Sequence, residues 1–485
     1  MKAGEAATLR RFQENHPRGR EATSRRRAAP SLADAQLVIA REYGFPSWPA
    51  LAEHIDAVRS AAADLLPLLH QAFVVDDAPQ LRQLLECHPE FKTRINEPVG
   101  AFAAPVVTQA RSRAMLDVLL DAGADINAKS QWWAGGFGLL HGADPELAAY
   151  AIERGAVVDV HAAARLGLLG KLGELIAADP ALVHSRGGDG QTPMHFAATV
   201  EVARFLVEHG ADIDARDVDH ESTPAQYMAR DRPAVARFLV QRGCATDLLL
   251  AAALGDLDLV RRHLDADPDC IHLRVSNECF PMVRPKAGGT IYQWTLGWYV
   301  SAHDVARERG HDEIFRLLMD RSPAGAKLLA ACWAADAALV RTVQAQHPDV
   351  VNRLTAAERR HPAQAARNNN PAAVRTMLGA GLPVDAQGQH AGTPLHWAAF
   401  HGNAGMMRDI LPYHPPLELR DADFHSTPLG WAIHGSQHGW HARTGDYPAV
   451  VELLLNAGAI LTEKMIGGTD AVRAVLRRFP FNRTP

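Results

Sequence analysis

The sequence predicts an all-α chain: a solenoid of about twelve short helical units behind an N-terminal helical cap. Three recurring patterns predict it. A Thr-started heptapeptide appears as TPMHFAA at 192–198, TPAQYMA at 223–229, TPLHWAA at 393–399 and TPLGWAI at 427–433, with a degenerate copy, TIYQWTL, at 290–296. A Gly-Ala pair with an aspartate beyond it appears as GADINA at 123–128, GAVVD at 155–159 and GADIDARD at 210–217. A proline closing a helical run appears at Pro89, Pro180, Pro268 and Pro348. A chain of 485 residues would ordinarily split into several domains. Stacked repeats avoid this, because each unit packs only on its neighbours.

Along the chain, residues 1–30 form a basic tail with Arg10, Arg11, Arg18, Arg20, Arg25, Arg26 and Arg27, expected to be disordered. Residues 31–64 read as the helical cap. Ser31 starts a helix, Ala35, Leu37, Val38 and Ala40 supply its apolar face, and Phe45, Trp48, Leu51 and Ile55 dock the first repeat. Residues 65–462 carry the repeats. In each ordinary unit a threonine caps the first helix and proline occupies its first turn. A glycine then ends the second helix in a left-handed conformation. Interleaved units end their helix at a His-Pro or Asp-Pro turn instead, since proline cannot continue a helix. Three irregular insertions interrupt the pattern, near 130–146, 276–304 and 434–448. Residues 463–485 form a C-terminal cap and tail, with a helix over 469–480.

The motifs TPLHWAA and HGADIDARD resemble the ankyrin repeat, a β-turn plus two antiparallel helices over about 33 residues. The chain looks like a bacterial-type, multi-repeat member of that family. The resemblance implies a curved stack with hairpins on one edge, and a concave side of hairpins and first helices that binds a protein or peptide. It also implies that His195 and His396, fourth in their motifs, make hydrogen bonds between neighbouring units. The Pro-turn units and the insertions depart from the family pattern.

Composition narrows the function classes. Hydrophobic residues make up 47%, charged residues 22%, and the formal net charge is -5. Such a balance gives no support to nucleic-acid or membrane attraction. No secretory signal and no run of 18 apolar residues occurs. Cys87, Cys244, Cys270, Cys279 and Cys332 are odd in number and widely spaced, which fits reduced thiols in the cytoplasm. Cys87 and Cys270 read as small core residues within helices.

The candidate binding residues are aromatic. Phe196, Tyr227, Trp294, Trp397 and Trp431 share the fifth motif position and would line the concave side as hot-spot anchors, joined by Trp298 and Trp440 from the insertions. The same position also suits packing of one repeat on the next. The hairpins DVDHESTP and DADFHSTP supply Asp217, Asp219, His220, Asp421, Asp423 and His425. Aspartate there also caps tight turns. His434, His438 and His441 in the last insertion have metal-ligand spacing if helical, although two glycines argue against a helix. No Walker loop, dinucleotide fingerprint, nucleophile elbow or HExxH appears, and no cofactor is expected. Two function classes remain. One is a scaffold for a protein or peptide. The other is an enzyme or small-molecule binder with a pocket of His220, Glu221, Tyr227, Tyr292, Asp423, His425 and His434, with a metal at His434, His438 and His441.

Overall fold

The computed structural model describes residues 32–42, 47–51, 71–99, 101–463, 465 and 467–481. The basic tail, Ser31, Phe45 and Ile55 lie outside them. All regular structure among the described residues is helical, with β pairing limited to isolated bridges such as Val99 with Ala104 and Arg274 with Ser301. No described helix is long and apolar enough to cross a membrane. The chain divides into two compact units. One holds residues up to 132 together with 136–158. The other holds 133–135 and everything from 159 onward.

The first unit contains helices Leu32–Glu42, Ala78–Cys87, Arg113–Asp121 and Pro145–Glu153. Leu81, Leu85, Met115, Leu116, Leu119 and Leu147 are buried in it. Cys87 is exposed rather than a core residue, because it falls two positions past Leu85 on the opposite side of its helix. Side-chain amides join successive loops. Asn96 donates to Gly123 O and accepts from Asp125 N–H; Asn127 does the same with Gly155 O and Val157 N–H.

In the second unit the Thr-Pro motifs open helices Pro193–Phe196, Pro224–Met228, Pro394–Phe400 and Pro428–His438. Each is followed by a second helix: Val200–Glu208, Pro233–Gln241, Ala404–Ile410 and Tyr447–Asn456. Gly210, at φ 87°, and Gly458, at φ 103°, end two of these in the left-handed region, which a side chain would strain. The Pro-turn units behave as their sequence requires. Helices Leu169–Ala178 and Leu257–Ala266 stop just before Pro180 and Pro268, and Asp179 and Asp267 cap the 3-10 turns Pro180–His184 and Pro268–His272. Cys270 therefore lies in a turn and is half-buried.

Helix Leu248–Leu254 is buried throughout, so small alanines let its neighbours approach on every side. The degenerate TIYQWTL copy forms only a four-residue helix, Tyr292–Thr295, starting after its threonine. The last insertion corrects a sequence expectation in part. Helix Pro428–His438 runs through Gly435 despite its low propensity, but it ends at Gly439, so His434 and His438 are helical and His441 is not. Gly435 is selected by packing, since a Cβ there would lie 2.6 Å from Phe400 O. A short helix, Asp470–Leu476, closes the described chain behind its cap Thr469.

Candidate functional site

The Thr-Pro helices bring the motif histidines to the backbone of the next hairpin. His195 Nδ1 accepts from Thr192 N–H at 3.1 Å, and Nε2–H donates to Ser222 O at 3.2 Å. His396 repeats this with Thr393 N–H and Ser426 O, both at 3.2 Å. Burial holds His195 neutral, its pKa pushed down to about 3. Gln226 takes the equivalent place in its motif and accepts from Thr223 N–H at 2.9 Å.

The five aromatics of the repeated position do not share one environment. Phe196 and Trp431 are buried, Trp397 is 3% exposed, and Tyr227 is half-buried. These rings pack between neighbouring helices. Phe196 meets His161 edge-on at 5.5 Å, and Trp397 meets Trp431 at 5.1 Å. Trp294 alone of the five is largely open, at 66% exposed.

A ring cluster forms elsewhere, around a residue with no sequence signal. Arg367 ends helix His361–Arg367, and its guanidinium carbon lies 4.3 Å from the Trp298 ring, 5.5 Å from Trp440 and 5.7 Å from Trp397. Trp440 stacks on Trp397 at 5.9 Å and is 61% exposed. Arg367 Nε–H donates to Gln389 Oε1 at 2.6 Å, and no carboxylate among the described residues pairs with the charge. Burial pushes its pKa down to about 10, so it stays protonated at neutral pH. His401 Nε2–H donates to Arg367 O at 2.9 Å. Two fully buried atoms beside the cluster, His401 Nδ1 and Trp397 Nε1, have no hydrogen-bond partner.

The candidate catalytic residues separate into groups with different work. Glu221 accepts from Val283 N–H and Arg284 N–H, each at 2.8 Å, and so ties down the 276–304 insertion. Burial opposes its ionisation, yet those bonds and the Arg284 charge hold it below the usual glutamate range. Tyr292 is buried and donates to both Asp247 oxygens, at 2.9 and 3.1 Å. His425 is exposed, and Asp423 pairs with His390 at 2.5 Å. His434 and His438 stand 4.9 Å apart ring to ring on the exposed side of their helix, whereas His441 leaves them to meet His401 at 5.1 Å. The three histidines therefore do not converge.

Asp217 and Asp421 cap their own hairpins. Asp217 accepts from His220 N–H and Ser222 N–H, and Asp421 from Asp423, Phe424 and Ser426 N–H. Among the described residues one set of side chains has metal-ligand proximity: Asp189, Asp219 and His220, with donor atoms within 4.8 Å of one another. Asp189 carried no sequence signal beyond a Gly-flanked turn. Its nearest sequence cue is its place three residues before Thr192, where the later motif has His390 before Thr393.

Three clefts are also present in the second unit, the widest of about 760 Å³ beside Arg359, Arg360 and Asp385. A cleft of about 660 Å³ is lined by Arg274, Tyr299, His303, Arg353 and His361. Two of its imidazoles are engaged through one nitrogen: His303 bonds Ser322 Oγ at 2.8 Å, and His361 Nδ1 accepts from Trp333 at 3.0 Å. A smaller cleft of about 270 Å³ reaches His220, Glu221, Arg216 and Phe280.

The ankyrin repeat family model matches residues 189–218, which supports an ankyrin repeat protein. The matched segment runs from Asp189 through the Thr192–His195 cap to the residue before Asp219.

Proposed function

We propose that the protein is a cytoplasmic repeat scaffold that binds a protein or peptide partner through the ring cluster around Arg367. Ankyrin repeats generally mediate protein binding, and the match at 189–218 gives that reading its fold-level support. In this reading the repeats extend over 65–462 as about twelve units. The recurring loop bonds of Asn96 and Asn127, and in the other unit Asp214 to Ala245 N–H, favour that extension.

The carrying observation is an unneutralised, half-buried guanidinium walled by Trp298, Trp397 and Trp440. Aromatic walls supply contact area at low entropy cost, and a desolvated arginine gains most from a carboxylate that pairs with it. The partner is thus a segment presenting an acidic side chain or a chain-terminal carboxylate beside an apolar one. Of the five aromatics at the repeated position Trp397 alone belongs to this cluster; Trp298 and Trp440 come from the insertions, and Trp440 is its exposed member.

Peptides selected from a displayed library on the full chain test this reading. The selected peptides should be acidic, and Trp440→Ala should weaken them at least about tenfold, or about 1.4 kcal/mol. Folding should be unchanged, because Trp440 is mostly exposed. Failure to select any specific peptide, or equal binding by the variant, overturns the proposal.

A further inference from the structure

We propose that the cleft of about 660 Å³ in the second unit binds a small organic carboxylate with an apolar body, received by Arg274, Tyr299 and His361. The site shares no residue with the Arg367 cluster.

The backbone builds this wall in advance. Arg274 and Ser301 form an isolated bridge, in which Val275 N–H donates to Val300 O at 3.0 Å and Tyr299 N–H to Val275 O at 2.7 Å. The pairing holds Tyr299 at φ 60°, a left-handed conformation that bulky residues rarely adopt. It also sets Arg274 against that ring. The guanidinium carbon lies 5.6 Å from the ring centre, and Nη1–H donates to Tyr299 O at 3.3 Å. The same ring meets His361 edge-on at 5.1 Å. Three polar side chains thus gather at one buried tyrosine, and all three line the cleft.

Two of them carry donors without a partner. Tyr299 is 7% exposed and His361 2%. The Tyr299 hydroxyl makes no hydrogen bond among the described residues. His361 Nδ1 accepts from Trp333 Nε1–H, so the ring proton sits on Nε2, and that N–H has no partner among the described residues either. Both atoms keep contact with solvent, which the cleft supplies. His361 also departs from the repeat. It precedes Pro362 where the Thr-Pro motifs carry their capping threonine. Arg274 adds Nε and Nη2, which carry no bond among the described residues.

These donors define the ligand. Three of them, one cationic, suit a carboxylate. Asp304 Oδ2 stands 3.6 Å from Arg274 Nη1 while accepting Ser301 N–H and Oγ–H, so the positive charge is already tempered. A singly charged carboxylate fits that balance better than phosphate does. The acids at the mouth are engaged: Glu278 with Arg360 at 3.3 Å, Asp349 with Arg353 at 3.6 Å, and Glu358 with Thr355 N–H at 2.8 Å. Ile271, Leu329 and Val350 supply apolar lining, which calls for an apolar body. The volume lies within the range of small-molecule sites, about 300–1,000 Å³.

Calorimetric titration of the full chain with octanoate, benzoate and cinnamate tests the proposal. Expected is one equivalent of at least one of these acids bound with a Kd on the order of 100 µM or tighter. Its primary amide and inorganic phosphate should bind at least about tenfold more weakly. Tyr299→Phe removes only a hydroxyl without a partner, and His361→Asn keeps an acceptor for Trp333. Both should fold as the natural chain does by circular dichroism and bind that acid about tenfold more weakly. Trp440→Ala should bind it as the natural chain does, which separates this site from the Arg367 cluster. The proposal is overturned if none of the three acids binds, if the amide or phosphate binds equally, if either folded cleft variant binds equally, or if Trp440→Ala loses the acid.

Discussion

The hairpin pair over 186–223 and the pair over 387–427 have the same backbone and different chemistry. In the first, Asp189 sits at φ 53° and its carbonyl accepts from Val218 N–H at 2.8 Å. In the second, His390 sits at φ 60° and its carbonyl accepts from Ala422 N–H at 2.8 Å. Asp217 and Asp421 cap the two tips alike, and Arg216 and Arg420 reach the carbonyls of Glu221 and His425, which both have positive φ.

Three of the side chains that differ change the chemistry most. His390 replaces Asp189 and pairs with Asp423, so the second pair neutralises itself. Phe424 replaces His220 and is 65% exposed. Trp431 replaces Tyr227 and donates from Nε1 to Asp421 Oδ2 at 2.9 Å, where the tyrosine hydroxyl makes no such bond. The repeat fixes the scaffold, and a few positions on it decide whether the charge is balanced from within.

The shared part of the two pairs should show the largest effect. His195→Ala and His396→Ala each leave a buried threonine N–H and a serine carbonyl unsatisfied. Each should cost about 2–4 kcal/mol, read as a lower denaturant midpoint. Glutamine at either position should cost less, since Gln226 already serves one motif. Equal losses for alanine and glutamine would break the claim that these residues act alike.

Acid should separate the two pairs. Burial pushes His195 to about 3 and His303 and His401 to about 4, each below its unfolded value of 6.5. The unfolded chain therefore takes up protons that the native chain refuses. Stability should fall as pH drops below about 6.5, by about 1.4 kcal/mol per pH unit for each such histidine. Asp189 acts with the opposite sign. Its folded value of about 6 lies above its unfolded 3.8, so its ionised form destabilises the protein at neutral pH. Asp189→Asn should stabilise the chain by about 1–2 kcal/mol at pH 7, and the gain should vanish by about pH 4. Denaturation of both chains across this pH range checks it. A gain independent of pH would show that Asp189 is not strained by charge.

The smallest effect concerns the ring position. Trp431→Phe removes a donor to a carboxylate and should cost about 1–2 kcal/mol. Tyr227→Phe removes an unsatisfied buried hydroxyl and should be neutral or stabilising by up to about 1 kcal/mol. Thermal melts that move both variants in the same direction would erase the distinction between the pairs.

What the sequence determined by itself was local. Thr-Pro starts, glycine stops and Asp-Pro turns arise from contacts within a few residues, so the all-helical character and the paired short helices were legible. The turn-capping roles open to Asp217 and Asp421 were legible for the same reason. The tertiary structure alone decided what meets across repeats. Asp189 faces Asp219 and His220 because neighbouring hairpins stack in register, and the orientation of His220 depends on Gly289 from a stretch with no repeat pattern. Arg367 meets Trp298, Trp397 and Trp440 only because its helix ends where three other segments converge. The His434–His438 helix likewise depends on the carbonyl of Phe400 lying where only glycine fits. Such meetings depend on the relative placement of distant backbone segments, which no local periodicity encodes.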